Sequence, residues 1–159
     1  MNSFVKQFGT IYHLTQIMRE QLMDILVDSD LTFTPGGSNP TLGELCKEMG
    51  EVEYTYIESV KHLKHDWSYR NSEAGLAKQV DQLKAWYKHL DADLKTTMEA
   101  LSEEDLTKMV ARNTGESAVT VGTELHIYRE ALLIYYAKIA VYLKALNKTM
   151  PEQWQGWIG

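Results

Sequence analysis

Three tyrosines, Tyr128, Tyr135 and Tyr142, stand seven residues apart in Val121–Asn147, a spacing that stacks their phenols along one side of an α-helix. Such a row either fills a core with hydroxyls that reach its edge or lines a polar pocket for a small molecule. His126 and Glu130 form a His-x-x-x-Glu pair, whose i, i+4 spacing can chelate a divalent transition metal such as zinc or nickel. Without a third ligand the same pair is a solvated helix edge beside Glu124 and Arg129. Cys46, the single cysteine, has Lys47 beside it; a neighbouring cation can lower a thiol pKa, but a lone helical cysteine is otherwise a small buried hydrophobe. His62 and His65 flank the end of a helix, where a cationic ring complements the dipole. His89, next to Lys88, reads as surface, and His13 as an edge histidine. Gly-x-Ser-x-Gly, Gly-x-x-x-x-Gly-Lys, Cys-x-x-Cys and His-Glu-x-x-His are all absent from the sequence.

The elements that must position these residues are helical. Val121, Leu125, Tyr128, Leu132, Tyr135, Ile139, Tyr142 and Leu146 follow a four-three spacing, and Ile127, Ala131, Ile134, Val141 and Ala145 add a second apolar stripe. A helix apolar on more than one side needs several neighbours, so Val121–Asn147 is the expected central helix of a bundle or of a subunit interface. Its densest run, Ala131–Leu143, is interrupted by Lys138 and is too short to span a bilayer. A first helix is expected over Ser3–Val27, with Ser3 as cap, followed by the turn-rich loop Asp28–Pro40. Thr41 and Glu44 make a capping box for a second helix with Leu42, Leu45, Met49, Val52, Tyr56 and Leu63 on its stripe.

Lys64–Gly75 has no helical period and reads as a connection. A third helix follows from about Leu76 to Leu101. Ser102–Ala118 reads as a crossover that Asn113-Thr114-Gly115 keeps from becoming a long helix, and the tail Lys148–Gly159, with Trp154 and Trp157, is expected to dock on the bundle or a partner. No strand signal is present. The expected fold is all-α: one domain over residues 1–159, a four-helix bundle with long crossover connections.

Net charge −6 over 159 residues, with no basic run, argues against a polyanion partner such as nucleic acid. The lone cysteine and the absence of an apolar leader point to the cytoplasm. More apolar circumference on the central helix than three neighbours cover points to a homodimer.

Thr41-Leu42-Gly43-Glu44-Leu45-Cys46-Lys47-Glu48-Met49 resembles the second-helix signature of the DinB superfamily, roughly Thr-Leu-Gly-Glu-Leu-Leu-x-His-Ile. That group includes YfiT-like hydrolases and thiol-dependent transferases. The central helix resembles the family's other signature, His-x-x-x-His-Arg-Gly-Gln-Ile followed by Tyr-Leu-Arg, once Ile139 and Tyr142-Leu143-Lys144 are laid on its end. Met150-Pro151-Glu152-Gln153-Trp154 is similar to the proline-containing end of many members. The resemblance implies a bundle with a crossed connection, often a homodimer, and in active members a divalent metal on three histidines. Here those three positions fall on Glu48, Ala131 and Tyr135.

Alanine has no lone pair to donate, and a neutral phenol is a poor zinc or nickel ligand beside imidazole. His126 lies about 140° round the helix from Ala131 and about 180° from Tyr135, so it does not substitute in place, and Glu130 is about 100° from Ala131. The sequence therefore points to a bundle without a bound cofactor, of the DinB kind but with a degenerate metal site. In this reading it binds a small molecule among Glu48, Tyr128, Ala131, Tyr135 and Tyr142, or serves as a structural or stress-associated dimer, with Glu48 hydrogen-bonded to Tyr135. The alternative is a metal-dependent hydrolase or thiol S-transferase using Glu48, His126 and Glu130 from a displaced site.

Overall fold

The computed structural model describes residues 1–112 and 117–158; the expected stop at Asn113-Thr114-Gly115 lies outside them. Four long helices form: α1 (Ser3–Ile25), α2 (Leu42–His62), α3 (Val80–Ala100) and α4 (Val121–Ala145), with a short α5 (Glu152–Ile158) at the end. Each start has a local cause. Asn2 caps α1, its side chain accepting from Val5 N at 2.8 Å, while Ser3 begins the helix and bonds Glu103. The Thr41–Glu44 capping box opens α2, and the Thr120 hydroxyl accepts from Thr123 N to open α4. Two three-residue strands, β1 (Met109–Ala111) and β2 (Ala118–Thr120), pair antiparallel before α4. They are too short to leave an alternating pattern in the sequence.

Within the bundle α1 packs on α3 and α4, and α2 packs on α3 and α4, so the circuit runs α1–α3–α2–α4. Contacts along the helices set their directions. Ser59 meets Glu124, Tyr56 meets Tyr128, and Glu48 acts on Tyr135, so α2 and α4 are antiparallel. Asn2 reaches Met98 and Asp24 reaches Lys84, so α1 and α3 are antiparallel as well. Tyr87 bonds Cys46 and Asp93 pairs with Lys61, which makes α2 and α3 parallel neighbours.

Parallel neighbours require a return along the whole bundle. The stretch between Leu63, which ends α2 in the left-handed region (φ 55°), and α3 supplies it. It climbs back along α2: Tyr69 stacks on Tyr54 with centroids 3.9 Å apart, Asn71 N donates to Glu51 at 2.9 Å, and the Ala77 carbonyl arrives at Gly43. Lys64–Gly75, which reads from sequence as a plain connection, is thus part of the lengthwise crossover. The loops after α1 and α3 cross the two ends, and α3 begins at Val80 rather than near Leu76 because the strap occupies the residues between.

The strap and α3 each explain one glycine of α2. A Cβ at Gly43 would lie 1.9 Å from the Ala77 carbonyl oxygen, and one at Gly50 would lie 2.4 Å from the Trp86 ring. Both accept a close neighbour where any side chain would displace it. The tail docks through Trp154, fully buried with its indole N–H donating to the Met18 carbonyl at 2.8 Å, while Trp157 stays partly exposed.

Gly43→Ala, which sets a methyl against backbone, is expected to cost about 1–3 kcal/mol of stability. Gly122→Ala, whose Cβ would meet the Leu106 carbonyl at an ordinary 3.6 Å, should be close to neutral. Urea unfolding of both variants reads the difference, and equal losses would show that the strap does not depend on the missing Cβ.

Candidate functional site

Arg19 of α1 lies at the centre of the bundle with about 1% of its surface exposed. Its guanidinium pairs with Glu53 on α2 and Asp91 on α3 and lies 4.3 Å above the Tyr87 ring centroid. Glu53 is fully buried, Tyr128 and Tyr136 of α4 close the site, and the Tyr136 hydroxyl donates to the Thr15 carbonyl at 2.7 Å. Burial disfavours the charged Glu53 carboxylate more than Arg19 favours it, and Asp91 adds repulsion, so its pKa is pushed up to about 7. Arg19 Nε has no partner among the described residues.

A second buried polar group sits where the strap begins. Glu124, in the first turn of α4, accepts from the Ser59 hydroxyl at 3.0 Å and from Arg112 at 2.6 Å, and its Oε1 lies 2.5 Å from His65 Nδ1. Burial opposes its charge, but His65, Arg112 and Ser59 outweigh it and hold the carboxyl below its ordinary range. His65 is buried between Tyr56 and Trp67, and its Nε2 has no partner among the described residues. His65 N to the Ala111 carbonyl (2.8 Å) and Ala111 N to the Leu63 carbonyl (2.9 Å) tie the strap to β1. Neither residue is where sequence pattern puts it: His65 is not a helix-end surface ring, and Glu124 is not a solvated edge. His62 is the exposed one, paired with Glu58.

The three tyrosines lie along one side of α4 but meet different partners. Tyr128 joins the Arg19 group, Tyr142 donates to the Pro40 carbonyl at 2.9 Å, and Tyr135 meets Glu48. Burial, then the charge of Glu48 and a hydrogen bond to its carboxylate, raise the Tyr135 phenol and keep its proton on. Lys138 lies 5.0 Å above the Tyr135 ring. Glu48 itself is exposed, so its charge is met by water as well as by Tyr135, and Ala131 beside them is half-buried. His126 packs edge-on against Phe8 with centroids 4.5 Å apart and also touches Phe4, while Glu130 is exposed. Cys46 is fully buried and its thiol is pushed up to about 12 by burial, which makes it inert.

Cavities open elsewhere. One of about 320 Å³ lies between α1 and α3 over Arg19, one of about 400 Å³ lies further along the same groove beside Gly9, and one of about 360 Å³ lies beside the Tyr54–Tyr69 stack. Among the described residues no group of three His, Cys, Asp or Glu side chains is placed to hold a metal ion.

The Glu53 value fixes a pH dependence. Folding raises its pKa from about 4.5 to about 7, so the folded chain holds this proton more tightly than the unfolded one. Its contribution to stability is present below about 4.5 and is lost as pH rises to about 7, a change on the order of 1–3 kcal/mol. Denaturation at pH 5 and pH 8 should show wild type losing that much relative to Glu53→Gln. Parallel curves would place Glu53 ionised throughout.

No protein-family model matches this chain, and no curated protein matches it in sequence. Among solved structures it is similar to a DinB-like protein, YjoA, of Bacillus subtilis, with a TM-score of 0.69 at 17% identity, over 96% of this chain and 98% of that one. The fold of this protein is therefore an all-α, DinB-like bundle.

Proposed function

We propose that this protein acts by binding rather than by metal-dependent chemistry, as a DinB-fold homodimer that receives a small molecule. The observation that carries the metal-free part is the pair on the α2–α4 face. Where the family resemblance expects three imidazoles, the side chains are an exposed carboxylate, a methyl group and a phenol that keeps its proton and donates a hydrogen bond to that carboxylate. A donor set of one solvated Glu48 with Ala131 and a neutral Tyr135 does not fit zinc or nickel. His126 and Glu130 do not repair it, since His126 is engaged with Phe4 and Phe8. Of the pocket candidates, Glu48, Ala131 and Tyr135 share this face and offer a hydrogen-bonding edge to a ligand. Tyr128 and Tyr142 support it from within, their ring surfaces being buried.

The dimer rests on the outer side of α4. Ile134 and Val141 are 56% and 58% exposed, two turns apart, with exposed Ala137 and Ala145 on the same surface. An aliphatic strip with small residues between its large ones packs on its own copy across a two-fold axis.

Protein purified without a histidine tag is expected to carry well under one equivalent of zinc, nickel or manganese. The triple change Glu48→His, Ala131→His, Tyr135→His should gain near-stoichiometric zinc if these are the ligand positions. A full equivalent in the wild type would sink the metal-free reading, and it would revive the metal-dependent hydrolase or transferase.

Light scattering is expected to give twice the chain mass at micromolar concentration, and Ile134→Asp with Val141→Asp should halve it. A wild-type monomer at those concentrations would end the dimer reading.

A further inference from the structure

The four long helices contain four glycines, and three have a neighbour from another element close by. Gly43 accommodates the Ala77 carbonyl, Gly50 the Trp86 ring, and Gly122 faces the Leu106 carbonyl at 3.6 Å. Gly9, in the interior of α1, has none among the described residues; a Cβ there would meet only the Val5 methyl of its own helix at 3.4 Å. A helix-interior glycine costs roughly 1 kcal/mol relative to alanine. At Gly9 no packing within the chain offsets that cost.

The bare surface at Gly9 is a wall of the cavity of about 400 Å³ between α1 and α3, a volume in the range of small-molecule sites. Val5, Tyr12 and Met98 give it an apolar floor, and Tyr12 is held in place by its hydroxyl donating to the Leu125 carbonyl at 2.5 Å. Gln16 lies at its inner end with its amide nitrogen buried and without an acceptor. One turn on, in the adjoining cavity of about 320 Å³, the buried Arg19 Nε–H is in the same condition. Two unmet N–H donors three residues apart on one helix call for acceptors that no group among the described residues supplies. Lys95 and Lys6 stand at the rim, opposed by Glu99 alone among the carboxylates of that cavity.

We propose that the α1–α3 groove at Gly9 binds a small amphipathic carboxylate of the medium-chain fatty-acid type, its alkyl chain lying over Gly9 and its acid group received by Gln16 and Lys95. The groove is on the side of the bundle opposite the α2–α4 face that carries Glu48 and Tyr135. It therefore goes beyond the metal-free reading, and metal content tests that reading independently. The chain length of the ligand follows from the groove: Val5 and Met98 lie at one end of it, and from Gly9 to Gln16 α1 rises roughly 10 Å toward the polar end. An amine is disfavoured because the unmet groups at the inner end are donors.

Titration of the full chain with sodium decanoate, followed by amide chemical shifts, tests the assignment. Perturbations are expected to centre on Gly9, Tyr12 and Gln16, with n-decanol and n-decylamine each binding at least tenfold more weakly. Gly9→Leu, which fills the bare wall, should weaken decanoate at least tenfold while circular dichroism stays unchanged. Exposed Lys95→Glu should weaken it several-fold, and keeps the test open if Gly9→Leu folds poorly. Absence of decanoate binding at millimolar concentration, equal binding of decylamine, or shifts centred elsewhere would each overturn the proposal. Loss of the dimer in Gly9→Leu would overturn it in favour of a second copy as the occupant.

Discussion

A guanidinium does not release its proton under any condition in which a protein is folded, so an arginine withdrawn from water has to be met by acceptors, at least one of them an anion. Arg19 is met from two helices at once, by Glu53 and by Asp91. The first of these contacts crosses the bundle's diagonal, because α1 and α2 are not neighbours in the circuit α1–α3–α2–α4. No other charged contact in the interior joins the helices in this way, among the described residues. Separating α1 from α2 or from α3 would strand a buried charge, a penalty of several kcal/mol. The apolar packing around it allows many small shifts; the charge does not. Tyr87, Tyr128 and Tyr136 are the lining that makes this tolerable, since each offers an aromatic face or a polarised hydroxyl where an aliphatic side chain would offer neither.

The same reasoning separates what the sequence displays from what it hides. The four helices were legible because Leu42, Leu45, Met49 and Tyr56, or Val80, Leu83, Tyr87 and Leu90, recur at the helical period, and periodicity is a property of neighbours in sequence. Glu48 beside Tyr135 was legible too, because a family signature supplies the register between α2 and α4. Arg19 was not. It stands one residue after Met18 on the apolar stripe, where a single charged residue at a stripe edge usually snorkels to water, and its two carboxylates lie 34 and 72 residues away. His65 was hidden for a different reason. It belongs to the strap, a segment without regular secondary structure, and nothing in Lys64–Gly75 announces that it runs along α2 rather than around its end. The glycines were a usable signal. Gly43 and Gly50 sit two turns apart on the helix that the strap and Trp86 approach, and two glycines in one strong helix pattern mark close contacts.

The two buried polar groups divide the labour of holding an unusual helix order. Up-and-down bundles connect neighbours by short turns and need no interior charges to define their order. Here α2 and α3 run parallel, and the strap between them must stay on one side of α2 for its full length. His65 and Glu124 fix its start, with Arg112 and Ser59 completing the shell of the carboxylate. The Ala77 carbonyl on Gly43 fixes its last turn. Between them Asn71 is held to Glu51, whose side chain is buried and salt-bridged to Lys47 at 3.5 Å. The strap is thus attached at its start, middle and end by contacts that are each directional, whereas an apolar strap would be free to slide.

This arrangement places two different surfaces on opposite sides of one core. On the α2–α4 side the backbone of the strap passes near, Arg70 acts on Tyr135, and the charges are paired or solvated. On the α1–α3 side no strap crosses, the helices stand apart enough to leave cavities, and the unmet donors of Gln16 and Arg19 face inward beneath them. A core whose central charge is locked from three helices can leave one groove less filled without losing its order, because Arg19 ties α1 to α2 and α3 beneath the groove and the Asn2–Met98 and Asp24–Lys84 contacts hold its two ends. The buried arginine, the element with the strictest constraint, thus lies directly beneath a surface that is left open.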